Sequence, residues 1–183
     1  MIPFATQADW NAWLAANPDA TEIWLLMHKK ASGIPSVTWE QAVIEAIAHG
    51  WIDGLKRPLN ETQWLQRFTP RKPGSAWSQK NIAHAEKLMA DGRMTPAGLS
   101  HVNLAKQNGR WDTAYAGGKS AELPQDFLDV ANANPQAAAM LQALNAQNRY
   151  AIYYRLTTAK RPETRAKRIA DFVALLARGE RFH

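Results

Sequence analysis

The sequence predicts an α+β fold that is mostly α-helical, with a small antiparallel β-sheet and a C-terminal helical subdomain. Helix-capping residues followed by apolar residues at helical spacing recur along the chain, whereas only residues 22–30 and 62–70 have the pattern of strands. Beyond a glycine-rich stretch at residues 116–122, every patterned segment is helical. A length of 183 residues suits one ordinary domain with a small second one.

Capping patterns predict four helices in the first half. Thr6–Asp9 and Thr38–Gln41 are spaced as capping boxes, and apolar residues at helical spacing follow each of them. A serine cap and a Thr-Pro pair predict two more helices, over residues 78–92 and 95–109, each closed by a glycine. Gly50 stands where the second helix is expected to end.

Two segments are predicted to be strands. Residues 22–30 form an apolar run that is too short for a stable helix, and residues 62–70 alternate through Trp64, Gln66 and Phe68. We expect these strands to pair antiparallel. Because two strands alone are marginally stable, helices are expected to cover one face of the sheet.

The composition of residues 116–122, Ala-Gly-Gly-Lys-Ser-Ala-Glu, is that of a flexible linker. It predicts an N-terminal α+β domain with a Trp/Arg-rich loop at residues 1–115 and a C-terminal helical module at residues 123–183. Within this module, Pro124 and Pro135 each open a helical stretch, and Pro162 opens the last one.

Composition excludes several classes of protein. The chain has no cysteine, so disulfides, thiolate metal sites and cysteine nucleophiles are excluded. No apolar run approaches the length of a membrane span, and the first ten residues lack the pattern of a secretory signal, so we expect a cytoplasmic protein. The five histidines have no metal-ligand spacing, and we predict no metal site and no cofactor.

The net charge of +6 is concentrated near the C-terminus. Residues 149–183 contain nine Lys and Arg against three Asp and Glu, whereas residues 1–148 contain thirteen of each. Such a segment favours an anionic partner such as nucleic acid or a phosphorylated ligand, or it is a solvated helix face. Three arginines share one helical face, where they could follow a phosphate backbone or pair with Glu163 and Asp171; they are Arg161, Arg165 and Arg168.

The eight tryptophans divide into two groups. Four lie on apolar faces of predicted elements and are expected in the core: Trp10, Trp13, Trp24 and Trp39. The other four are possible site residues: Trp51, Trp64, Trp77 and Trp111. Three members of the second group fall within residues 49–78, where Lys and Arg are also concentrated.

Glycines flank Trp51 and Asp53 and are expected to let the backbone turn sharply after a helix. In a site, Asp53 would act as a hydrogen-bond acceptor or general base and Trp51 as a stacking wall. Alternatively, Trp51 belongs to the core and Asp53 caps a turn. His49, at the end of the same helix, is either a second candidate proton acceptor or a helix cap.

The segment at residues 66–78 predicts a site for an anion. Guanidinium groups and the N-terminus of a helix both bind phosphate or carboxylate. Here the residue types that could do so are Arg67, Arg71, Lys72, Ser75 and Ser78. The alternative is a strand-to-helix connection whose arginines pair with Glu61 or Asp53. The glycine pattern of a phosphate-binding loop is absent.

Five motifs occur in order along the chain: IPSVTWEQAV, GWIDG, QRFTPRKPGSAWS, DGRMTPAGL and TAKRPETRAKRIADFVALL. With these motifs the chain resembles the YdeI/OmpD-associated family, whose members are also described as bacteriocin-protection proteins. The resemblance implies a role in protection against bacteriocins or antimicrobial peptides and an association with an outer-membrane porin. It supplies no catalytic residues, and the family's small C-terminal module corresponds to the part after the linker.

These observations lead to one principal hypothesis. The protein is predicted to be a cytoplasmic stress or antimicrobial-peptide tolerance protein whose cleft binds a small anionic ligand or an acidic segment of a protein partner. The residues predicted to form this cleft are Trp51, Asp53, Arg67, Arg71, Ser75 and Trp77.

Two alternatives stay open. In the first, the same cleft is an active site in which Asp53 or His49 accepts a proton and the arginines hold an oxyanion. In the second, the basic C-terminal helix binds nucleic acid.

Overall fold

A computed structural model of the chain describes residues 1–117 and 121–182. In these residues the chain forms eight α-helices and one four-stranded sheet, which confirms the predicted α+β class. The residues divide into two compact units, Met1–Ala114 and Tyr115–His183. Residues 118–120 of the predicted linker lie outside the described residues, and the predicted domain boundaries stay a prediction.

The N-terminal unit contains the sheet and four helices. In chain order its elements are β1 (Ile2–Pro3), α1 (Gln7–Ala16), β2 (Ile23–His28), a short 3₁₀ helix (Lys30–Ser32), α2 (Trp39–Ala48), β3 (Trp51–Pro58), β4 (Gln63–Pro70), α3 (Gln79–Ala90) and α4 (Pro96–Gln107). The strand order is β1-β2-β4-β3, with β1 parallel to β2 and the other neighbours antiparallel.

The predicted caps begin the first four helices. Thr6 and Thr38 each form a complete capping box. The threonine side chain accepts the backbone N–H of the residue three positions later, and the side chain of that residue accepts the backbone N–H of the threonine. Ser78 and Thr95 accept backbone N–H groups at the starts of α3 and α4. The helix starts of this unit therefore follow from local sequence.

The predicted antiparallel pair is confirmed as β2 and β4. The expected turn after the helix occurs at Gly50, which has a φ of 77°, but the second glycine of GWIDG, Gly54, lies inside a strand. From Trp51 the chain is extended and pairs with β4, with a register shift between Asp53 and Lys56. This irregularity and the exposed residues of the second half of β3 hide the period of two that marks a strand.

The core of the N-terminal unit lies between the helices and one face of the sheet. On β2, Ile23, Leu25 and Met27 are buried, so the intervening Trp24 lies on the opposite face. Trp39 is 40% exposed. The prediction that Trp24 and Trp39 are core residues is therefore wrong. Successive side chains of β2 point to opposite faces of the sheet, and Trp24 is on the face away from the core. Trp39 is the first residue of α2 and lies at the surface.

The C-terminal unit is helical and has its own core. Its helices are α5 (Gln125–Asn132), α6 (Pro135–Gln142), α7 (Ala146–Thr157) and α8 (Pro162–Ala177). The aromatic and aliphatic side chains Phe127, Ile152 and Leu156 are fully buried in this core. In the described part of the chain, no helix is both long and apolar enough to cross a membrane.

Candidate functional site

A cationic groove of about 580 Å³ lies beside the start of β2 and the end of β4. Its lining contains three cations and one carboxylate, and consists of Thr21, Glu22, Arg67, Thr69, Pro70, Arg71, Lys72 and Pro73. Arg67 and Thr69 alternate along β4, so both side chains emerge from one face of the sheet. Arg71 follows the strand and lines the same groove.

Glu22 holds Arg67 in position. The Arg67 guanidinium donates to Glu22 Oε2 from Nε, at 2.8 Å, and from Nη2. The Trp24 indole donates to the other carboxylate oxygen at 2.7 Å. The hydrogen bonds from Arg67 lower the pKa of Glu22 most, and the bond from Trp24 lowers it further. Glu22 is therefore ionised at neutral pH and fixes a cation at the edge of the groove.

Arg71 is a buried cation with a fixed position. Its side chain is 4% exposed, and the guanidinium carbon lies 3.8 Å from the centre of the Trp77 ring. Nη1 donates to the carbonyl oxygen of Ala76 at 3.2 Å. Stacking on an indole and a hydrogen bond to the backbone both restrict the side chain, so the guanidinium is held in one position.

The serines of the predicted anion site bond to the backbone. The Lys72 N–H donates to Ser75 Oγ at 3.1 Å, and the Ser75 N–H donates to the Lys72 carbonyl at 2.9 Å. Ser78 Oγ accepts the N–H of Asn81 and caps α3. The two bonds between Lys72 and Ser75 form the turn that carries Lys72, which lines the groove.

The predicted aromatic walls are in the core. Trp51 and Trp77 are each 4% exposed. Trp51 packs edge-on against Trp13, with ring centroids 6.1 Å apart, and Trp77 packs against Trp111 at 5.2 Å. Both rings contact other core aromatic side chains, and Trp77 also stacks with the Arg71 guanidinium. The assignment of Trp51 and Trp77 to a binding site stays a prediction.

Asp53 lies on β3. Burial raises the pKa of Asp53, and the Trp39 side chain and the charge of Arg71 oppose this increase. A raised pKa is compatible with a proton-accepting role. Of the six residues predicted for the cleft, Arg67 and Arg71 line the groove, whereas Asp53 is not among its lining residues.

His49, the other candidate proton acceptor, forms the C-terminal cap of α2. Its Nε2 lies 2.7 Å from Asn11 Oδ1 of α1. Burial lowers the pKa of His49, and the charge of Glu45 opposes this effect. The described contacts of His49 and Asp53 involve different residues, so the structure does not join the two candidates in one site.

The stability of the N-terminal unit is expected to fall as the pH is lowered from about 7.5 to about 5.5, across the pKa of about 6.5 of histidine in an unfolded chain. Burial lowers the pKa of His49, His84 and His101 in the folded state. The unfolded chain therefore binds more protons in this interval, which favours unfolding. The measurement is the melting temperature at both pH values. An equal or higher value at the lower pH would contradict this assignment of neutral histidines.

Several arginines of the basic C-terminal segment stabilise the ends of helices. Arg165 forms two bonds to Asp126, at 2.9 and 2.7 Å, and donates to the carbonyl of Leu156 near the end of α7. Arg149 donates in the same way to Leu141 near the end of α6. Helix C-termini carry unpaired carbonyls and partial negative charge. Part of the basic excess therefore has a structural role.

One buried carboxylate was missed in the sequence. Glu45 of α2 is 3% exposed and pairs with Arg93, in a smaller pocket between helices. The only signal was an acidic residue among the apolar residues of the α2 face. Within the described residues, no group of three or more His, Asp or Glu side chains is arranged to hold a metal ion.

The structure defines a two-part protein, with an α+β unit that carries a cationic groove and a separate unit of four helices. The chain belongs to the family described as Domain of unknown function (DUF8412), whose model matches residues 2–101. Residues 120–179 match the family described as Bacteriocin-protection, YdeI or OmpD-Associated, which confirms the family resemblance. The motifs GWIDG and DGRMTPAGL fall in the first match. No curated protein and no solved structure matches the chain.

Proposed function

We propose that the protein is a cytoplasmic stress protein that provides tolerance to bacteriocins or antimicrobial peptides, and that its N-terminal groove binds a small anionic ligand or an acidic segment of a protein partner. The match of residues 120–179 to a bacteriocin-protection family supports the tolerance role. The observation that carries the ligand class is the placement of Arg67, Arg71 and Lys72 around one groove with a single carboxylate.

The groove offers the groups that recognise phosphate and carboxylate. A guanidinium has five N–H donors in a planar fork. Among the described contacts of Arg67, the bonds to Glu22 use Nε and Nη2, so the N–H groups on Nη1 can bind a ligand. Thr21 and Thr69 supply hydroxyl groups in the same lining. Three positive charges against one negative charge favour an anionic ligand.

The enzyme alternative is supported by one observation, the raised pKa of Asp53 beside the charge of Arg71. In this alternative Asp53 accepts a proton while the arginines stabilise an oxyanion. The nucleic-acid alternative rests on the basic C-terminal segment, in which Arg149 and Arg165 already bind helix carbonyls. A porin partner, suggested by the name of the C-terminal family, also stays a proposal.

Arg67→Ala is expected to abolish stabilisation of the protein by anions. A ligand at 100 times its dissociation constant stabilises the folded state by about 2.7 kcal/mol, which raises the melting temperature by several degrees. The measurement is a thermal-shift screen of wild type and variant with inorganic phosphate, ATP and a Glu-rich peptide at two salt concentrations. We expect a shift with at least one of these anions in the wild type and none in the variant.

Glu22→Gln is the matched control, because it also removes the ion pair of Arg67 but keeps the cation. If the guanidinium itself binds the anion, this variant should keep or strengthen binding, since it removes the one negative charge of the groove lining. Equal loss of binding in Glu22→Gln and Arg67→Ala would show that the ion pair only maintains the shape of the groove, and that the Arg67 guanidinium does not bind the anion itself. The proposal would also fail if no anion shifts the melting temperature of the wild type.

A further inference from the structure

A second polar pocket of about 350 Å³ lies in the N-terminal unit, apart from the cationic groove. Its lining comes from α1, from α2 and from the turn after α3, and consists of Gln7, Ala8, Asn11, Glu45 and Arg93. None of these residues belongs to the lining of the groove. The volume is near the lower end for ligand pockets, which favours a small ligand.

Glu45 is the main charged group of this pocket. Its side chain is 3% exposed, and within the described residues its hydrogen bonds from Gln7 Nε2 and Arg93 Nη2 both end on Oε1. The second carboxylate oxygen, Oε2, can therefore accept a hydrogen bond from a ligand. The partner cation is accessible, since the Arg93 side chain is 47% exposed.

Amide side chains hold the rest of the pocket in place. Gln7 and Asn11 are one helical turn apart on α1, and they contact Glu45 and His49, which are one turn apart on α2. An amide group both donates and accepts hydrogen bonds, so it can contact either end of a polar ligand. Ala8, between the two amides in sequence, contributes only a methyl group to the lining.

We propose that this pocket binds a small zwitterion of the α-amino acid class, with its ammonium group at Glu45 and its carboxylate at Arg93. The reason is charge compensation beside a buried carboxylate. A lone cation at Glu45 Oε2 would add a positive charge next to the Arg93 guanidinium, and a lone anion at Arg93 would add a negative charge next to the carboxylate of Glu45. A zwitterion supplies a new partner to both groups and adds no net charge.

The test is isothermal titration calorimetry of the full chain with glycine, L-alanine, L-serine and L-glutamine. Ethylamine and propionate serve as probes that carry only one of the two charges. We expect saturable binding of at least one amino acid with a dissociation constant tighter than about 1 mM, and no saturable binding of the single-charge probes. The proposal is overturned if no amino acid binds with this affinity, or if a single-charge probe binds equally well.

Ala8→Leu distinguishes a ligand pocket from a structural ion pair. Ala8 is exposed on α1, and leucine is a good helix former, so the variant should fold and keep the pair of Glu45 with Arg93. We expect it to weaken amino acid binding at least about tenfold by filling the pocket, a loss of about 1.4 kcal/mol. Ala16→Leu, an exposed substitution at the end of the same helix, should have no effect.

Equal affinity in wild type and Ala8→Leu would place the ligand elsewhere and overturn the proposal. Arg67→Ala serves as a further control, because it alters the cationic groove and leaves this pocket intact. Amino acid binding should persist in Arg67→Ala even if anion binding is lost. Failure of the amino acid pocket and failure of the anion groove are therefore measured separately.

Discussion

Trp10→Ala is expected to lower the free energy of unfolding of the N-terminal unit by about 4 kcal/mol, within the range measured for the loss of a buried tryptophan. Trp10 is 0% exposed. Its ring centroid lies 5.2 Å from that of Phe4 and 5.5 Å from those of Trp13 and Phe68. The indole N–H also donates to the carbonyl of Ala42 at 3.0 Å. The variant therefore loses this packing and the hydrogen bond that joins α1 to α2.

The measurement is urea unfolding followed by circular dichroism. Trp39→Ala is the matched control, since it removes the same side chain from a position that is 40% exposed. It should cost less than half as much, because less apolar surface returns to water. Equal losses in the two variants would contradict the placement of Trp10 at the centre of the core.

Gly98→Ala is expected to destabilise the same unit by about 3 kcal/mol, the upper part of the usual range for overpacking. A methyl group at Gly98 would overlap the carbonyl oxygen of Ala48 and lie 2.5 Å from the sulfur of Met94. The first turn of α4 is held against the end of α2 by Thr95, whose Oγ1 donates to the same carbonyl at 2.7 Å. The added methyl group would therefore force these two helix ends apart.

Gly74→Ala is the control for this prediction. The nearest atom to a methyl group at Gly74 is Arg110 Nη2, at 3.8 Å, which is an ordinary contact. Its melting temperature should be close to that of the wild type, whereas that of Gly98→Ala should be lower by several degrees. If Gly98→Ala has the same melting temperature as the wild type, α2 and α4 are not packed as closely as described.

Local signals predicted the helix starts and the central strand pair, but strands with weak local signals were missed. The capping boxes at Thr6 and Thr38 depend on residues three positions apart, and the structure confirms both. β1 has only two residues, too few to show alternation. β3 has a register shift and an exposed second half, so its pairing with β4 is decided by tertiary contacts.

The cations of the groove could be predicted, but their partners could not. Arg67 and Arg71 are close in sequence and their residue types suggested an anion site. The partner of Arg67, Glu22, is 45 residues away, and the two meet only because Trp24 and Arg67 are paired in the register of β2 and β4. The pairing of Glu45 with Arg93 spans 48 residues and had no local signal beyond one acidic residue on an apolar helix face.

The central claim, that the cationic groove is required for tolerance, is tested most directly by survival of a gene-deletion strain exposed to a bacteriocin or a cationic antimicrobial peptide. The strain is complemented with wild type, Arg67→Ala or Glu22→Gln, expressed at equal levels. We predict that wild type and Glu22→Gln restore survival and that Arg67→Ala does not, because only the last removes a cation from the groove. Full survival with Arg67→Ala, or no protection by the wild type, would contradict the account.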